Sequence, residues 1–202
     1  MRRVLLEHAG FALRRQQLYY VWTPGEDGPP SPRHPGGVSF RSLAEVGETA
    51  WLDADTRVRQ QSLVPEMAAG APRAGEPLFP PGHVPTDEPR FWQLAYDSVG
   101  DLIGLVVPRR SGPNGSIHWI GVVPEQRGRG YVDDLIARGL EILVAAGVER
   151  VHASTHVLNT PMQAAFPRMG FRQTETRWWY EFDLAQLREP ASGDAPGKEG
   201  TR

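Results

Sequence analysis

A turn with two glycines and two arginines lies between an apolar run and a helical pattern, and it constrains the fold more than any other stretch. The turn is Gln126-Arg127-Gly128-Arg129-Gly130-Tyr131, the run 117–123 precedes it, and the helical pattern begins at Val132. In a strand–turn–helix unit, the free N–H groups of the turn and the positive end of the helix dipole point at one place. Glycines let an anion approach the backbone, and arginines add positive charge. The stretch 116–140 therefore predicts a phosphate-binding site.

Composition limits the classes of protein that remain. The chain has 202 residues, 40% of them hydrophobic and 23% charged, which suits one globular domain with a sizeable core. Its net charge of −2 predicts neither a nucleic-acid nor a membrane partner, so any basic site is local. The absence of cysteine excludes a disulfide scaffold, a thiolate zinc site and a cysteine nucleophile, and it agrees with a cytoplasmic location. We predict no metal site and no membrane-spanning segment.

The first ninety residues alternate between regular patterns and Pro/Gly-rich connections. We predict, in chain order, a helix over 4–10, a strand over 11–22, a linker over 24–37, a strand over 38–40, a helix over 43–58, a further helix over 59–69 and a loop over 70–90. Loops as long as the last one are often functional.

The second half of the chain is more regular. We predict strands over 91–97, 101–108, 116–123, 151–156 and 171–182, helices over 132–145 and 160–169, and a disordered tail over 188–202. The first two of these strands form a hairpin around 98–101. Gly121 interrupts its strand, which indicates either a bulge or a close backbone approach.

A short internal similarity links the two ends of the chain. Ala9-Gly10-Phe11 and Met169-Gly170-Phe171 each lie between a short helix and a strand, and an aromatic cluster begins seven residues after each Phe. One interpretation is that 1–23 is an extension left over from a duplicated domain half. The other is that Gly-Phe is a common helix-to-strand junction. With this extension and the linker 24–37 set apart, the main domain is predicted over 38–187.

The central unit resembles the acetyl-CoA site of the GCN5-related N-acetyltransferase (GNAT) superfamily. The family signature Arg/Gln-x-x-Gly-x-Gly/Ala lies on 127–132, with Val132 where the family prefers a small residue. Asn159, Phe166 and Gly170-Phe171 are similar to the Asn…Tyr…Gly-Phe pattern that closes these domains. The resemblance covers 116–182, and two motifs at the right separation are strong evidence. It implies an α/β (α+β) fold, with a mixed, mostly antiparallel central sheet that is flanked by helices and splayed at the acetyl-CoA strand.

The resemblance also implies where acetyl-CoA binds. Backbone groups of Val122 and Val123 would face the pantetheine arm, and one of their N–H groups would polarise the thioester carbonyl. Asn159 would hydrogen-bond the cofactor arm, and Phe166 would lie against the cofactor. The residues that would surround the pyrophosphate are those of the turn and the first helical turn: Arg127, Gly128, Arg129, Gly130, Tyr131 and Val132.

The implied reaction is an N-acetyl transfer by direct attack of a neutral primary amine on the thioester. A base or a water relay must then take a proton from the amine. His118 is the first candidate, because its unperturbed pKa is near neutral and we expect it to share a strand face with Ser116 and Ile120. His156 is a weaker one. The alternative for His118 is a structural histidine with satisfied hydrogen bonds.

The sequence departs from the family at the usual general acid. Phe166 stands where the family often has a tyrosine, and it cannot protonate a departing thiolate. Either another group serves, with Tyr131 and Tyr180 as candidates, or the thiolate leaves unaided. A non-catalytic acyl-CoA-binding or regulatory module is the alternative function, and a structural partner domain that binds no CoA is a third.

The acceptor side is less constrained. Asp133 and Asp134 open the helix after the turn, where acids complement the dipole, and we expect them to point outward; the alternative is that Asp134 faces the amine substrate. Loop 59–90 and the N-terminal extension would contact the acceptor, an unidentified amine. A homodimer stays open. Most of the strand aromatics are predicted to be core residues, and one or two of them to line an acceptor pocket: Trp92, Tyr96, Trp119, Trp178 and Trp179.

Overall fold

The structure is a computed structural model that describes residues 2–25, 28–64 and 89–182. Two predictions fall wholly or almost wholly outside the described residues: the loop over 70–90 and the tail over 188–202. Of the helix predicted over 59–69, residues 59–64 are described, and 60–64 are turn and loop rather than helix, which contradicts this part of the prediction; 65–69 lie outside the described residues.

Four α-helices and seven strands are formed by the described residues, close to the predicted positions. The helices are α1 Arg2–His8, α2 Leu43–Arg59, α3 Tyr131–Ala145 and α4 Thr160–Arg168. The strands are β1 Ala12–Trp22, β2 Ser39–Ser42, β3 Gln93–Tyr96, β4 Leu102–Ser111, β5 Asn114–Val122, β6 Arg150–His156 and β7 Arg172–Glu181. No helix within this part of the chain combines the length and the apolarity needed to cross a bilayer.

Local chemistry accounts for the helix limits. At the start of α2, the Glu45 carboxylate accepts a hydrogen bond of 2.6 Å from the Ser42 backbone N–H, and its bonds with Ser42 lower the pKa of Glu45. Pro161 lies in the first turn of α4, where its missing N–H costs nothing. Left-handed Gly147 follows α3, with φ +77°. One feature was not predicted: α2 is kinked at Gly47, where φ is +78°.

The strands form one mixed sheet in the order β2-β3-β4-β5-β6-β1-β7. Strands β2 to β5 pair antiparallel in sequence, and β5 and β6 are parallel. Helix α4 carries the chain from β6 to β7, two positions away, and β1 occupies the place between them, antiparallel to β6. The N-terminal strand is therefore interior to the sheet. The predicted mixed, mostly antiparallel sheet is confirmed.

Strands β5 and β6 separate after a short shared ladder. They pair only at 114–116 with 150–152, although β5 continues to Val122 and β6 to His156. The edge of β5 that faces β6 is therefore left without a strand partner beyond Ser116, and such backbone groups need other partners. This is the splay that the family resemblance implied.

Two apolar cores cover the two faces of the sheet. One packs α3 and α4 against the sheet, with Ile117 and Ile120 of β5 on its side. The other packs α2 against β3, β4 and β5, and includes Trp51, Val58 and Val123. Gly121 lies where α2 comes closest to β5, because a Cβ there would be 2.9 Å from the Val58 Cβ. Of the two expectations for Gly121, the close approach is confirmed. The bulge is not at Gly121, because the register shift between β4 and β5 lies earlier in β5, between Ile117 and Trp119.

The chain divides into two compact units, residues 17–177 and residues 1–16 with 178–202. The larger unit contains both cores. In the smaller unit, the rings of Phe11 and Phe182 lie 5.0 Å apart, and Arg14 forms a 2.6 Å ion pair with Glu181. The predicted boundaries at 23 and 37, and the duplication behind them, stay predictions.

Candidate active site

A cleft of about 280 Å³ lies between the free end of β5, the glycine turn and the start of α4. The described residues that line it are Val58, Gln61, Ser62, Leu63, Val64, Trp119, Ile120, Gly121, Val122, Gln126, Arg127, Gly128, Gly130, Tyr131, Val132, Asn159, Pro161 and Met162. Three separate parts of the sequence motif, the turn, Val122 and Asn159, therefore meet at one concave surface.

The turn adopts the backbone that its glycines permit. A short 3₁₀ turn, Pro124–Gln126, leads from β5 into it, and both Gly128 and Gly130 are left-handed, with φ of +76° and +87°. Gly130 is the residue before α3, so the first N–H groups of the helix lack helical partners and point out of its end. This geometry suits an anion.

Arg127 does not face the cleft as a free charge. Its guanidinium donates to the backbone carbonyls of Val58, Gln60 and Gln61 at 2.7–3.1 Å, and its Nε donates to Val122 O at 3.0 Å. It therefore ties the C-terminal end of α2 to the end of β5, where those carbonyls have no helical partners. The guanidinium thus has a structural role, and because the residue lines the cleft, its contact with the phosphate stays a prediction. Arg129 is exposed and is not one of the lining residues.

The two valines after Gly121 differ. Val123 is fully buried, and its N–H donates to Ile103 O of β4 at 2.9 Å, so it is not available to a cofactor. Successive N–H groups of a strand point to opposite edges. The Val122 N–H therefore points away from β4, and Val122 lines the cleft. Of the two predicted groups, the structure brings only Val122 to the site.

Asn159 is the residue before α4. Its side chain makes no capping hydrogen bond, and it lines the cleft. Phe166 does not: it is 1% exposed, and its ring packs 5.0 Å from that of Tyr20 and 5.1 Å from that of Phe171. The prediction that Phe166 contacts the cofactor is wrong, because its side chain completes the apolar core.

His118 is the extra residue of a β-bulge. Val107 pairs with Trp119, and Pro108 with Ile117, so the register between β4 and β5 skips His118. The bulge breaks the alternation, and Ile117 and Ile120, three residues apart, enter the same core. The expectation that His118 shares a face with Ile120 is therefore wrong.

The environment of His118 still changes its acidity. The pKa of His118 is lowered, first by desolvation of the imidazole and second by the Arg109 guanidinium, whose Nη1 lies 3.5 Å from Nε2. A lowered pKa keeps the ring neutral and able to accept a proton. However, the side chain is exposed and is not among those that line the cleft, whereas the adjacent Trp119 is.

His156 is buried at the end of β6, and its Nδ1 accepts a hydrogen bond of 3.1 Å from the Leu158 backbone N–H. That nitrogen is therefore occupied, which weakens His156 as a base. Among the candidate donors, Tyr131 lines the cleft, and its ring lies 4.7 Å from that of His34. Tyr180 belongs to the smaller unit and accepts a 3.3 Å bond from the Nε of Arg3.

The two acids that open α3 point inward, contrary to expectation. Asp133 is 5% exposed and accepts 2.7 and 3.1 Å hydrogen bonds from Arg168, which raises the pKa of that guanidinium. Asp134 is 1% exposed and accepts two bonds from His34, one from its backbone N–H at 2.7 Å and one at Nδ1 at 2.8 Å. Buried carboxylates require such partners, and distant segments supply them here.

Sequence reasoning missed several residues near the cleft. Arg33 and His34 come from the segment predicted as a linker, and they contact the start of α3. Buried Asp55 of α2 pairs with Arg59 and accepts a 3.0 Å bond from the Trp119 indole N–H. For Arg33 and His34, the sequence held one weak signal. Asp133 and Asp134 are two consecutive acids in the first turn of an apolar helix, and they need charged or polar partners if they are buried.

The aromatic residues divide between core, cleft and surface. Trp92 is buried, and Trp119 alone of the five predicted aromatics lines the cleft, so one acceptor-pocket candidate remains. Trp178 and Trp179 are 41% and 37% exposed, so the expectation of core positions is wrong for them.

Comparisons with known proteins identify the family. The model of the acetyltransferase (GNAT) family matches residues 58–171. A mycothiol acetyltransferase of Thermobispora bispora is 29% identical over 185 residues, which cover 84% of this chain and 57% of that protein. A mycothiol acetyltransferase of Beutenbergia cavernae is 31% identical over 147 residues, covering 68% of this chain and 46% of that protein. The chain thus spans about half the length of these relatives.

A solved structure shares the fold. The GCN5-related N-acetyltransferase from Sphaerobacter thermophilus superposes with a TM-score of 0.70 at 21% identity, over 89% of this chain and 55% of that chain. Because the family model spans more than half of the sequence, and the splayed strand and glycine turn lie within the match, the chain belongs to the GNAT acetyltransferase family, whose members use acetyl-CoA as co-substrate.

Proposed function

We propose that this chain is an acetyl-CoA-dependent N-acetyltransferase that moves the acetyl group to a primary amine. The observation that carries the proposal is the cleft that joins the turn at Gly128 and Gly130 to Val122 and Asn159. The glycine turn, the free strand edge and the Asn159 side chain lie on one surface, as an extended cofactor with a pyrophosphate and a pantetheine arm would require. The family match over 58–171 supports the same assignment.

Each part of the cleft has a role in the proposed complex. The amides around Gly130 hold the pyrophosphate at the positive end of α3. The free edge of β5 hydrogen-bonds the pantetheine arm, and the Asn159 side chain adds a further bond. The Val122 N–H donates to the thioester carbonyl oxygen, and this bond strengthens as negative charge develops there.

The transfer itself then needs two proton movements, one from the amine and one to the thiolate. The neutral amine nitrogen attacks the carbonyl carbon, the carbon–sulfur bond breaks, and coenzyme A leaves as the thiolate. A proton leaves the amine to a base, and His118, reached through water, is the proposed acceptor, because its lowered pKa keeps it neutral. Tyr131, the candidate donor that lines the cleft, is the proposed source of a proton for the thiolate.

Calorimetry and a thiol-release assay together test this function. We expect acetyl-CoA to bind, and release of free CoA thiol to continue only when an amine acceptor is present. The acceptor panel includes small amines, amino acids, polyamines and mycothiol-related amines, the last because two relatives are named mycothiol acetyltransferases. Binding without turnover across the panel would contradict the enzyme and favour a binding module. No binding would contradict the cofactor assignment.

Two further predictions about the chain belong with this proposal. The first is a cytoplasmic location, with which the absence of cysteine agrees. The second is a homodimer, for which we name no contact surface. Cell fractionation tests the first, and sedimentation tests the second.

A further inference from the structure

The segment before β2 is anchored on the helix that follows the phosphate turn. His34 donates its backbone N–H to Asp134 Oδ1 at 2.7 Å, and its Nδ1 lies 2.8 Å from Oδ2 of the same carboxylate. Asp134 is 1% exposed, and the His34 ring lies 4.7 Å from that of Tyr131. Two bonds to one buried carboxylate, with a ring contact beside them, hold this part of the chain against the start of α3.

This anchor places Arg33 directly over the turn. A Cβ on Gly130 would meet Cδ and Nε of Arg33 at 2.7 Å and Cζ at 2.8 Å. The guanidinium therefore lies against the Gly130 backbone, which lines the cleft. Gly130 is favoured as glycine by its φ of +87°, and a side chain there would displace the Arg33 guanidinium.

The charge of Arg33 is not needed by its acidic neighbour. Its Nη1 is 3.6 Å from Asp133 Oδ2, a loose ion pair, whereas Arg168 already binds that carboxylate with two shorter hydrogen bonds. The Arg33 side chain is 55% exposed. A guanidinium has five N–H donors in a planar fork that matches phosphate oxygens, so most of them stay available at the mouth of the turn.

We propose that Arg33 is a further phosphate ligand, which closes over the glycine turn and binds the pyrophosphate of coenzyme A opposite the turn amides. The inference rests on the proposed function, since it assigns one more contact to the same cofactor. It also assigns a role to a segment that lies outside the residues matched by the family model, 58–171. Asp134 and His34 act as positioning residues for Arg33.

Binding of coenzyme A and 3′-dephospho-coenzyme A to Arg33→Gln tests the proposal. We expect the Kd to rise about tenfold for both ligands, because a charged hydrogen bond is lost and both carry the pyrophosphate. Arg33→Lys, which keeps the charge without the fork, should lie between. Arg150→Gln is the matched control: it removes the same charge from an exposed side chain at the paired end of β6, and should bind like the unchanged protein.

Three outcomes would overturn the inference. An unchanged Kd in Arg33→Gln, with normal binding by the unchanged protein, overturns the role of Arg33 and leaves the proposed function intact. An effect that vanishes with 3′-dephospho-coenzyme A overturns the pyrophosphate contact, because the 3′-phosphate would then be the ligand. Failure of the unchanged protein to bind either ligand overturns this inference and the proposed function together. Thermal unfolding of each variant checks that the fold is kept.

Discussion

Gly128 is the residue at which the anion site can be tested with least disturbance to the fold. Its φ is +76°, and a Cβ there would meet no atom within 4 Å. Gly128→Ala therefore adds only backbone strain, of about 1–2 kcal/mol. Gly128→Glu adds similar strain and a negative charge where the pyrophosphate is proposed to lie. We expect calorimetry to show acetyl-CoA affinity close to normal for the alanine variant and at least about tenfold weaker for the glutamate variant.

Equal affinity of these two variants would show that charge at this turn does not matter to the ligand. Gly130 is less suitable for the same comparison, because Arg33 fills the space beside it and any side chain displaces that guanidinium. The two glycines of one motif thus differ in what surrounds them.

His118 gives a prediction about pH. The base works as neutral imidazole, so the rate rises with pH through its pKa. Desolvation first, and Arg109 second, lower that pKa from the usual 6.5, so the acidic limb of kcat/KM lies below pH 6.5. We expect His118→Ala to reduce turnover and remove this limb, while acetyl-CoA affinity stays unchanged.

The control for this experiment is His152→Ala, which removes an exposed histidine of β6. It should keep the limb. If His118→Ala has the pH–rate profile of the unchanged protein, His118 is not the base.

At the scale of elements, the two arginines of the turn are predicted to differ in how much they stabilise the fold. Both side chains are exposed, but Arg127 ties the end of α2 to the end of β5 through four backbone carbonyls. We expect Arg127→Ala to destabilise the protein by about 1–3 kcal/mol, because several carbonyls lose their donor. Arg129→Ala should leave stability within about 0.5 kcal/mol. Urea unfolding measures both, and equal losses would contradict the distinction.

The contact between α2 and β5 gives a second prediction at this scale. Gly121→Ala would place a Cβ 2.9 Å from the Val58 Cβ and 3.1 Å from Cγ2. We expect a loss of about 1–3 kcal/mol from this overpacking. Val58→Ala keeps the Cβ contact but removes the Cγ2 and Cγ1 contacts at 3.1 and 3.6 Å, so it should relieve part of the added loss and leave the double variant more stable than the sum of the single changes predicts.

A double-mutant cycle by urea unfolding measures that coupling. Purely additive losses would mean that the helix does not press on the strand at this point. The same contact sets one wall of the cleft, because Val58 and Gly121 both line it.

At the scale of the whole molecule, the position of β1 is testable without mutation. Residues 17–22 pair with 151–156 in the interior of the sheet, and Tyr20 and Trp22 are buried. Burial also raises the pKa of Tyr20. We expect hydrogen exchange to show amides of 17–22 protected as strongly as those of 151–156, because both belong to one ladder.

Rapid exchange over 17–22, with slow exchange over 151–156, would show that β1 opens separately and is an appended strand. In that case the sheet would have its edge at β6. Slow exchange in both segments would instead show that the N-terminal strand opens only together with β6.

Much of the fold follows from patterns within short windows. The helix predicted over 43–58 occurs as Leu43–Arg59, and the strand over 11–22 as Ala12–Trp22. Prediction was weaker where the register depended on neighbours. The strand over 101–108 runs on to Ser111, and that over 116–123 starts at Asn114, because the two extend each other through a tight turn at Gly112.

Site residues divide in the same way. The left-handed glycines and the start of α3 follow from the local sequence alone. The inward direction of Asp133 and Asp134 does not, because their partners are 35 and 100 residues away. Nor does the role of Arg127, whose carbonyl partners in and after α2 precede it by 66 to 69 residues.

The sequence by itself determined the strand–turn–helix unit of 116–140, the phosphate-type turn and the family, because backbone conformation and motif spacing depend on near neighbours. The tertiary structure alone decided which of those residues reach the cleft. In the folded chain the side chains of Val123 and Phe166 are buried in the core, and His118 lies in a β-bulge. The Arg33 side chain lies against Gly130. The physical reason is that a side chain's direction and partners depend on packing between distant segments, whereas a glycine's left-handed backbone depends on the glycine itself.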